Sequence, residues 1–348
     1  MNNNFRDLTR TYTLPMSIAP FLIAFCCAVN TPLFPDSSIL INGILVLIGI
    51  ILIHMASNLF DDYIDVKMQL KKGLKLNEIN FKSERKARAI LNGAYSLKQA
   101  ENILIALVTA GFLIGLYFVY LRGGVIFAYM LIALLLSAFY PISSKYGLSE
   151  AVVGVVFGPL LINASYCALT GQFDPQVFNL SFASGIITTI LLITHSLMDF
   201  EFDLPSGKKT LPVLLENKNL TVNAISILIS ISFGILIYTT VKYGLTKLVL
   251  FAILFSLPVS IKLILSLYDY IQIKNVKFIP EWYLGIMEDW DEILKNNYAY
   301  FMYRFYLARN LSAIFNTVVA IACLIGFMPL GRDDFGGLRF IFNQFFIF

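Results

Sequence analysis

The chain has 348 residues, 58% of them hydrophobic and 14% charged, with 26 Lys and Arg against 22 Asp and Glu for a net charge of +4. A soluble domain carries about a quarter charged residues, whereas apolar runs of about 18 residues or more, long enough to cross a bilayer as helices, recur here from end to end. That excludes a soluble enzyme and predicts a polytopic membrane protein.

The segment MNNNFRDLTRTYTLP leads into the first apolar run without a small-residue cleavage site, so that run is expected to be retained as a span. Run length and flanking polar residues predict about nine helical spans, at 14–33, 39–60, 99–120, 123–140, 150–170, 180–199, 221–241, 246–268 and 306–328. The expected fold class is therefore an all-α transmembrane bundle, a single domain over 1–348. The loop after the second span holds Lys67, Lys71, Lys72, Lys75, Lys82, Arg85, Lys86, Arg88 and Lys98, and the loops after the fourth and sixth hold Lys145 and then Lys208, Lys209 and Lys218. The loops after the first, third and fifth spans carry little beyond Asp36, Arg122 and Asp174. The positive-inside rule then places the N-terminus and the even-numbered loops in the cytoplasm, with the C-terminus outside. Residues 269–305 are expected as a cytoplasmic insertion, in which the spacing of Trp282, Trp290 and Tyr298 suits an interfacial helix. The cysteines Cys26, Cys27, Cys167 and Cys323 lie in apolar runs without CxxC spacing and read as small buried hydrophobes.

Two acidic clusters break the apolar pattern. NLFDDYID ends the second span, and on a helix Asn58, Asp61, Asp62 and Asp65 fall at spacings of three and four that bring them to one stripe. An uncompensated carboxylate within a span costs about 2.5–3.5 kcal/mol, so such a cluster calls for a cation. At the end of the sixth span, DFEFD places Asp199 and Asp203 four apart, with Glu201 facing elsewhere. Both clusters are expected at the same membrane edge, each followed by basic residues. Hard oxygen donors on two helices suit Mg²⁺ held jointly by protein carboxylates and substrate phosphates, and the basic residues suit phosphate oxygens. The expected ligand is a diphosphate. His54 and His195 each lie four residues before a cluster and read as polar cavity lining, with acceptor orientation or proton transfer as the alternative. SGKKT lacks the full phosphate-loop pattern and a preceding strand, which excludes nucleotide hydrolysis by that motif. Most of the basic loop reads as facing lipid headgroups or water, and no nucleic-acid partner is expected.

These residues carry a resemblance. The N-and-D-rich motif ending the second span and the DxxxD ending the sixth are similar to the hallmarks of the UbiA-type superfamily of intramembrane prenyltransferases. The likeness extends over RTYTLPMSIAP from Arg10, ARAILNGAYSLKQA with Arg88, and Tyr140-Pro141 with Lys145. Within that superfamily, KYGLSEAVVGVVFGPLLINASY and DFEFDLPSGKKTLPV resemble the dihydroxynaphthoate polyprenyltransferases of menaquinone biosynthesis, although Asp61 stands where that family usually has Asn. The resemblance implies Mg²⁺ held by Asn58, Asp61, Asp62, Asp65, Asp199 and Asp203, and a polyprenyl diphosphate contacted by Arg10, Arg88, Lys145, Lys208 and Lys209. It further implies a prenyl tail open to membrane lipid, Tyr140 as a cation-stabilising wall, and capture by an aromatic acceptor such as 1,4-dihydroxy-2-naphthoate. Hydroxybenzoate, homogentisate, haem or a glycerol-phosphate lipid remain open as acceptors. The rival of another class is an ion-coupled transporter, whose sites lie near the bilayer midplane on broken helices rather than at span ends.

Overall fold

The computed structural model describes residues 3–30, 37–79, 86–243, 247–273, 277–295 and 298–326. Lys82, Arg85 and the last residues of the ninth expected span lie outside them. Among the described residues the chain is helical and without strands. The elements are α1 (Asn3–Thr9), α2 (Pro15–Val29), α3 (Ser37–Lys71), α4 (Arg88–Leu91), α5 (Leu97–Arg122), α6 (Gly124–Ser143), α7 (Ser149–Val155), α8 (Leu161–Thr170), α9 (Pro175–Met198), α10 (Phe200–Ser206), α11 (Leu211–Leu215), α12 (Lys218–Tyr243), α13 (Phe251–Ile271), α14 (Trp290–Lys295) and α15 (Ala299–Gly326). A π-helical turn, Val156–Leu160, joins α7 to α8.

Eight of the described helical stretches are long and apolar enough to cross a membrane. The first expected span is shorter than the sequence suggests. Pro15 sits at the first helical position, where its missing N–H costs nothing, and the helix ends at Val29 after 15 residues. The second span is longer: α3 runs unbroken for 35 residues, about 52 Å at 1.5 Å per residue. That exceeds the roughly 30 Å hydrocarbon core of a bilayer, so the last turns of α3, with Asp61, Asp62 and Asp65, stand at or beyond the membrane edge.

The centre of the bundle is built from α2, α9, α12 and α15, whose Ile23, Ala24, Ile187, Ile190, Leu236, Leu311 and Phe315 are buried in one core. By contrast, α5 and α6 turn Phe112, Leu113, Leu134 and Leu135 outward, as lipid-facing helices do. Buried hydroxyls and amides cross-link the centre. Thr188 Oγ1 and Ser312 Oγ are 3.0 Å apart, Ser232 donates to the Ala183 carbonyl at 2.8 Å, and Asn163 donates to Ser181 Oγ at 2.9 Å. Such bonds hold helices together where no hydrophobic gradient exists. The four cysteines are free and buried, as their surroundings in sequence predict.

Two helices cross at glycine. A Cβ placed on Gly158 would lie 2.5 Å from Gly185 Cα and 2.5 Å from the Ser181 carbonyl oxygen. Backbone atoms cannot give way, so only glycine allows the approach of the π-helical turn to α9. That turn forms where Pro159 has no N–H to offer, and Asn163 donates to the Pro159 carbonyl at 2.7 Å.

The segment after α13 differs from the expected interfacial helix. Residues 290–295 form a six-residue helix, and Trp290 packs inward on Tyr303 with ring centres 5.9 Å apart. Tyr298 stacks on Phe301 at 5.3 Å. Of the three aromatic residues, Trp282 alone is exposed, at 92%.

Gly158→Ala should lower stability by about 1–3 kcal/mol through overpacking, read as a reduced thermal midpoint of the purified protein. Gly234→Ala is the control: nothing lies within 4 Å of its would-be Cβ, and a helix-interior Ala is favoured over Gly by about 0.5–1 kcal/mol, so its midpoint should stay level or rise.

Candidate active site

The first acidic cluster is held by two cations arriving from different directions. Arg10 lies between α1 and α2 with a left-handed backbone, φ 49, a conformation a non-glycine residue adopts only when its surroundings enforce it. The reward is its side-chain contact with α3: Arg10 Nε donates to Asp62 Oδ2 at 3.3 Å and Nη2 to Asp61 at 3.4 Å. Nη2 also donates closely to Asp62 Oδ1, making the Asp62 contact bidentate. The Asp62 side chain is 1% exposed. Burial works against the Arg10 charge, but Asp62 and Asp61 outweigh it and hold its pKa above the ordinary arginine value.

Lys86 is the second cation. Its ammonium pairs with Asp65 and lies 3.6 Å from Asp61. Burial, the largest influence, opposes its charge, yet Asp61 and Asp65 together raise its pKa. The following residue, Ala87, is again left-handed, φ 53. Asn58, one turn before the acids, donates to the Thr9 carbonyl at 3.2 Å and to Thr13 Oγ1 at 3.0 Å. One turn deeper, His54 meets Thr13 Oγ1 at 3.0 Å and Ser17 Oγ at 2.8 Å. Both of its ring nitrogens are occupied, which makes it a bolt between α3 and α2.

The second cluster sits at a break in the helix. α9 ends at Met198, and Asp203 N donates to the Asp199 carbonyl at 2.9 Å, which keeps the two aspartates one turn apart. Asp199 lies 3.4 Å from His195 Nδ1. Asp203 is buried, and burial lifts its carboxyl above the usual carboxylate range against the pull of Lys208. Lys208 Nζ is 3.2 Å from Asp203 Oδ1, out of alignment for a hydrogen bond to that buried oxygen. Glu201 turns away, as its angle on the helix predicts, and pairs with Lys218 at 2.6 Å.

Lys208 and Lys209 follow Gly207, whose φ of 76 ends α10 in the left-handed region. Two bonds then fix the strand of chain that carries them: Lys209 N donates to the Ser144 carbonyl at 2.7 Å, and Leu211 N donates to Glu150 Oε1 at 2.9 Å. Ser149 Oγ holds the other Glu150 oxygen at 2.7 Å. The Lys209–Ser144 bond brings Lys208 and Lys209 beside the loop bearing the exposed Lys145.

Both clusters lie at one end of the bundle, close enough for the charges of each to act on the other. The charge of Lys208, from the second cluster, acts on Asp61 of the first, and that of Lys86, beside the first, acts on His195 of the second. Tyr140, at the end of α6, feels Asp61, Asp65, Glu150 and Arg10 together. Arg88 is placed differently from the expectation: it reaches Asp7 of α1 at 4.0 Å rather than the acids. Lys86 and Glu150 were not singled out by sequence. One was a lysine among many in a basic loop, and the other a lone glutamate whose partner is a backbone N–H 61 residues away.

Chemically, this is a set of hard oxygen donors rimmed by fixed cations, suited to a divalent metal and a phosphorylated ligand. Among the described residues no group of three His, Cys, Asp or Glu side chains closes into a metal cage. A shared metal–phosphate arrangement needs no such cage.

Comparison with known proteins identifies the family. The UbiA prenyltransferase family model matches residues 17–278. The chain is 26% identical to the 1,4-dihydroxy-2-naphthoate octaprenyltransferase of Haemophilus influenzae over 219 residues, 60% of this chain and 68% of the relative. It is 29% identical to the digeranylgeranylglyceryl phosphate synthase of Methanobrevibacter smithii over 237 residues, 67% of this chain and 76% of the relative. Among solved structures, a UbiA homologue from Archaeoglobus fulgidus bound to GPP and Mg²⁺ superposes with a TM-score of 0.54 at 16% identity, covering 89% of this chain and 99% of that one. The chain belongs to the UbiA prenyltransferase family.

Arg10→Ala should destabilise the protein by about 3–5 kcal/mol, because it strands the buried Asp62 carboxylate without its cation. Adding Asp62→Asn should recover much of that loss. Thermal midpoints across the double-mutant cycle measure the coupling, and additive losses would show that the pair does not matter.

Proposed function

We propose that this UbiA-family prenyltransferase moves a polyprenyl group from an allylic diphosphate to an aromatic acceptor, 1,4-dihydroxy-2-naphthoate, in menaquinone biosynthesis. The observation that carries the reading is the pair of carboxylate clusters, on α3 and at the α9–α10 break, each paired with a lysine and close enough for that lysine's charge to act on the other cluster. In this reading residues 1–348 form one transmembrane domain of the cell membrane. Its acid end faces the cytoplasm, supported by the lysines gathered at that end.

The residues present fit Mg²⁺. Asp61, Asp65, Asp199 and Asp203 supply carboxylate oxygens at this end of the bundle, and the Asp203 Oδ1 atom lacks an aligned donor. Asn58 and Asp62 complete the expected set, although Asp62, gripped through both oxygens by Arg10, serves mainly to hold α1 in place. Bound there, Mg²⁺ supplies Lewis-acid neutralisation of the diphosphate leaving group. The cations of the chain do the rest of the positioning. Lys86 and Lys208, now paired with acids, and Lys145 and Lys209 beside them bind diphosphate oxygens, Arg10 backs them from behind Asp61, and Arg88, turned to Asp7, would have to leave that partner to join them. Charge that grows on the diphosphate as the C–O bond breaks then meets donors already in place. Tyr140 presents its ring to the allylic cation, and the prenyl tail runs along the apolar flank toward lipid. A glycerol-phosphate lipid is the second acceptor to weigh, favoured by the likeness to the archaeal synthase.

The deciding experiment incubates purified protein with Mg²⁺, radiolabelled allylic diphosphates of several lengths and a panel of acceptors. Label should move to 1,4-dihydroxy-2-naphthoate and stop with EDTA. Asp65→Ala and Asp199→Ala should each lower the rate by about 10²-fold or more, in the range of losing an electrostatic catalytic group. Transfer to a glycerol-phosphate lipid alone would change the acceptor, and no transfer to any acceptor would overturn the reading. A second series tests the loop at 208–211. Glu150→Ala, which frees the Leu211 N–H, should raise KM for the diphosphate more than it lowers kcat, whereas Glu150→Gln, which keeps the acceptor oxygen, should stay near wild type.

A further inference from the structure

The segment from Lys277 to Asp289 folds back along the bundle instead of reaching into water. Glu281 lies 3.8 Å from Lys262 Nζ, and Lys262 is nine residues inside α13, about 13 Å of helix from its Ile271 end. Lys262 is thus a charge within a span, and its side chain snorkels to meet the returning chain. Leu284 is fully buried. The irregular backbone around it is satisfied from within: Asn310 Nδ2 donates to the carbonyls of Leu284 at 2.8 Å and Ile286 at 3.0 Å, and Arg309 Nη2 donates to Ile286 at 2.6 Å. Asn310 is itself eleven residues inside α15. Between those carbonyls stands Gly285, φ 86, where a Cβ would fall 2.7 Å from Asn310 Nδ2. Non-helical backbone is tolerated at membrane depth only when buried partners take its polar groups, and here two side chains of a span do so.

The other face of the same segment is apolar and uncovered. Ile279 is 56% exposed, Trp282 92% and Ile286 74%, and Ile261 and Leu265, which flank Lys262 on α13, are exposed as well. An exposed lysine and tryptophan in one short segment, Lys277 and Trp282, match the composition of the headgroup boundary.

We propose that residues 277–289 are a re-entrant interfacial anchor, with Ile279, Trp282 and Ile286 inserted into the lipid leaflet on the acid side of the membrane. The occupant of this surface is lipid. Leu284, Asn310 and Arg309 fasten the anchor inward, and Glu288 carries it on to Arg6 of α1 at 3.0 Å. The proposal is independent of which acceptor the enzyme uses.

The chain has two tryptophans, so Trp290→Phe leaves Trp282 as the sole indole. In phospholipid nanodiscs, its emission should be blue-shifted and quenched most by lipids brominated near the headgroup, with little quenching by aqueous iodide. Should Trp290→Phe misfold, the difference between wild type and Trp282→Phe reports the same indole. Red-shifted emission quenched by iodide and not by brominated lipid would overturn the anchor, as would strongest quenching by labels at the chain ends.

Discussion

A carboxylate at the edge of a hydrocarbon slab persists only where cations meet it, and the acid end of this bundle is arranged around that requirement. Asp62 is the clearest case. Its side chain is nearly inaccessible, and Arg10 closes on both of its oxygens. To do so the chain accepts a left-handed arginine between two helices. The same pairing fixes the entry of α2, because Asn58 and His54 on α3 then find Thr9, Thr13 and Ser17 within hydrogen-bond reach. The two ion pairs of Arg10, with Asp62 and Asp61, and four polar contacts therefore lock the start of the chain to the end of α3. Arg6 extends the lock to Glu288, tying α1 to the segment before α15.

The two clusters differ in mechanical character. On α3 the acids ride an unbroken helix of 35 residues, and their positions follow from its rigid geometry. Asp199 and Asp203 instead stand across a helix break, on a short element that ends at Pro205 and Gly207. Their placement depends on what pins the following chain, namely the Ser144 carbonyl and the Glu150 carboxylate. Close packing supplies the frame for that pinning. The contact of Gly158 with Gly185 packs the π-helical turn that follows α7 backbone to backbone against α9, and Glu150 at the start of α7 reaches the chain beyond α10.

How much of this could be read from residues in order follows from the range of each interaction. Spans depend on local composition, so the long apolar helices fall near where run length puts them; the first is short because α2 ends at Val29. The acid clusters depend on spacings of three and four, which survive in α3 and, through the Asp203–Asp199 backbone bond, at the α9–α10 break. Pairings across long separations were not legible. Nothing local distinguishes Lys86, which meets Asp61 and Asp65, from Arg88, which meets Asp7. Nothing local shows Trp290 and Tyr298 packed inward while Trp282 faces out. Periodicity predicts faces only while a helix continues, and the segment 277–289 is largely irregular.

Fixing acids with resident lysines rather than leaving them to a metal has a consequence for any anionic ligand at this end of the bundle. Lys86 and Lys208 are held by carboxylates, and Lys86 carries its charge in spite of burial because Asp61 and Asp65 sustain it. In the proposed reading, a divalent cation held by Asp61, Asp65 and Asp203 would compete with those ammonium groups for the same oxygens. The lysines so released would be free to meet phosphate oxygens, so metal and anion would bind better together than apart, each removing the cost of the other's counter-ions. That coupling would account for acidic and basic residues standing so close together at one end of the bundle.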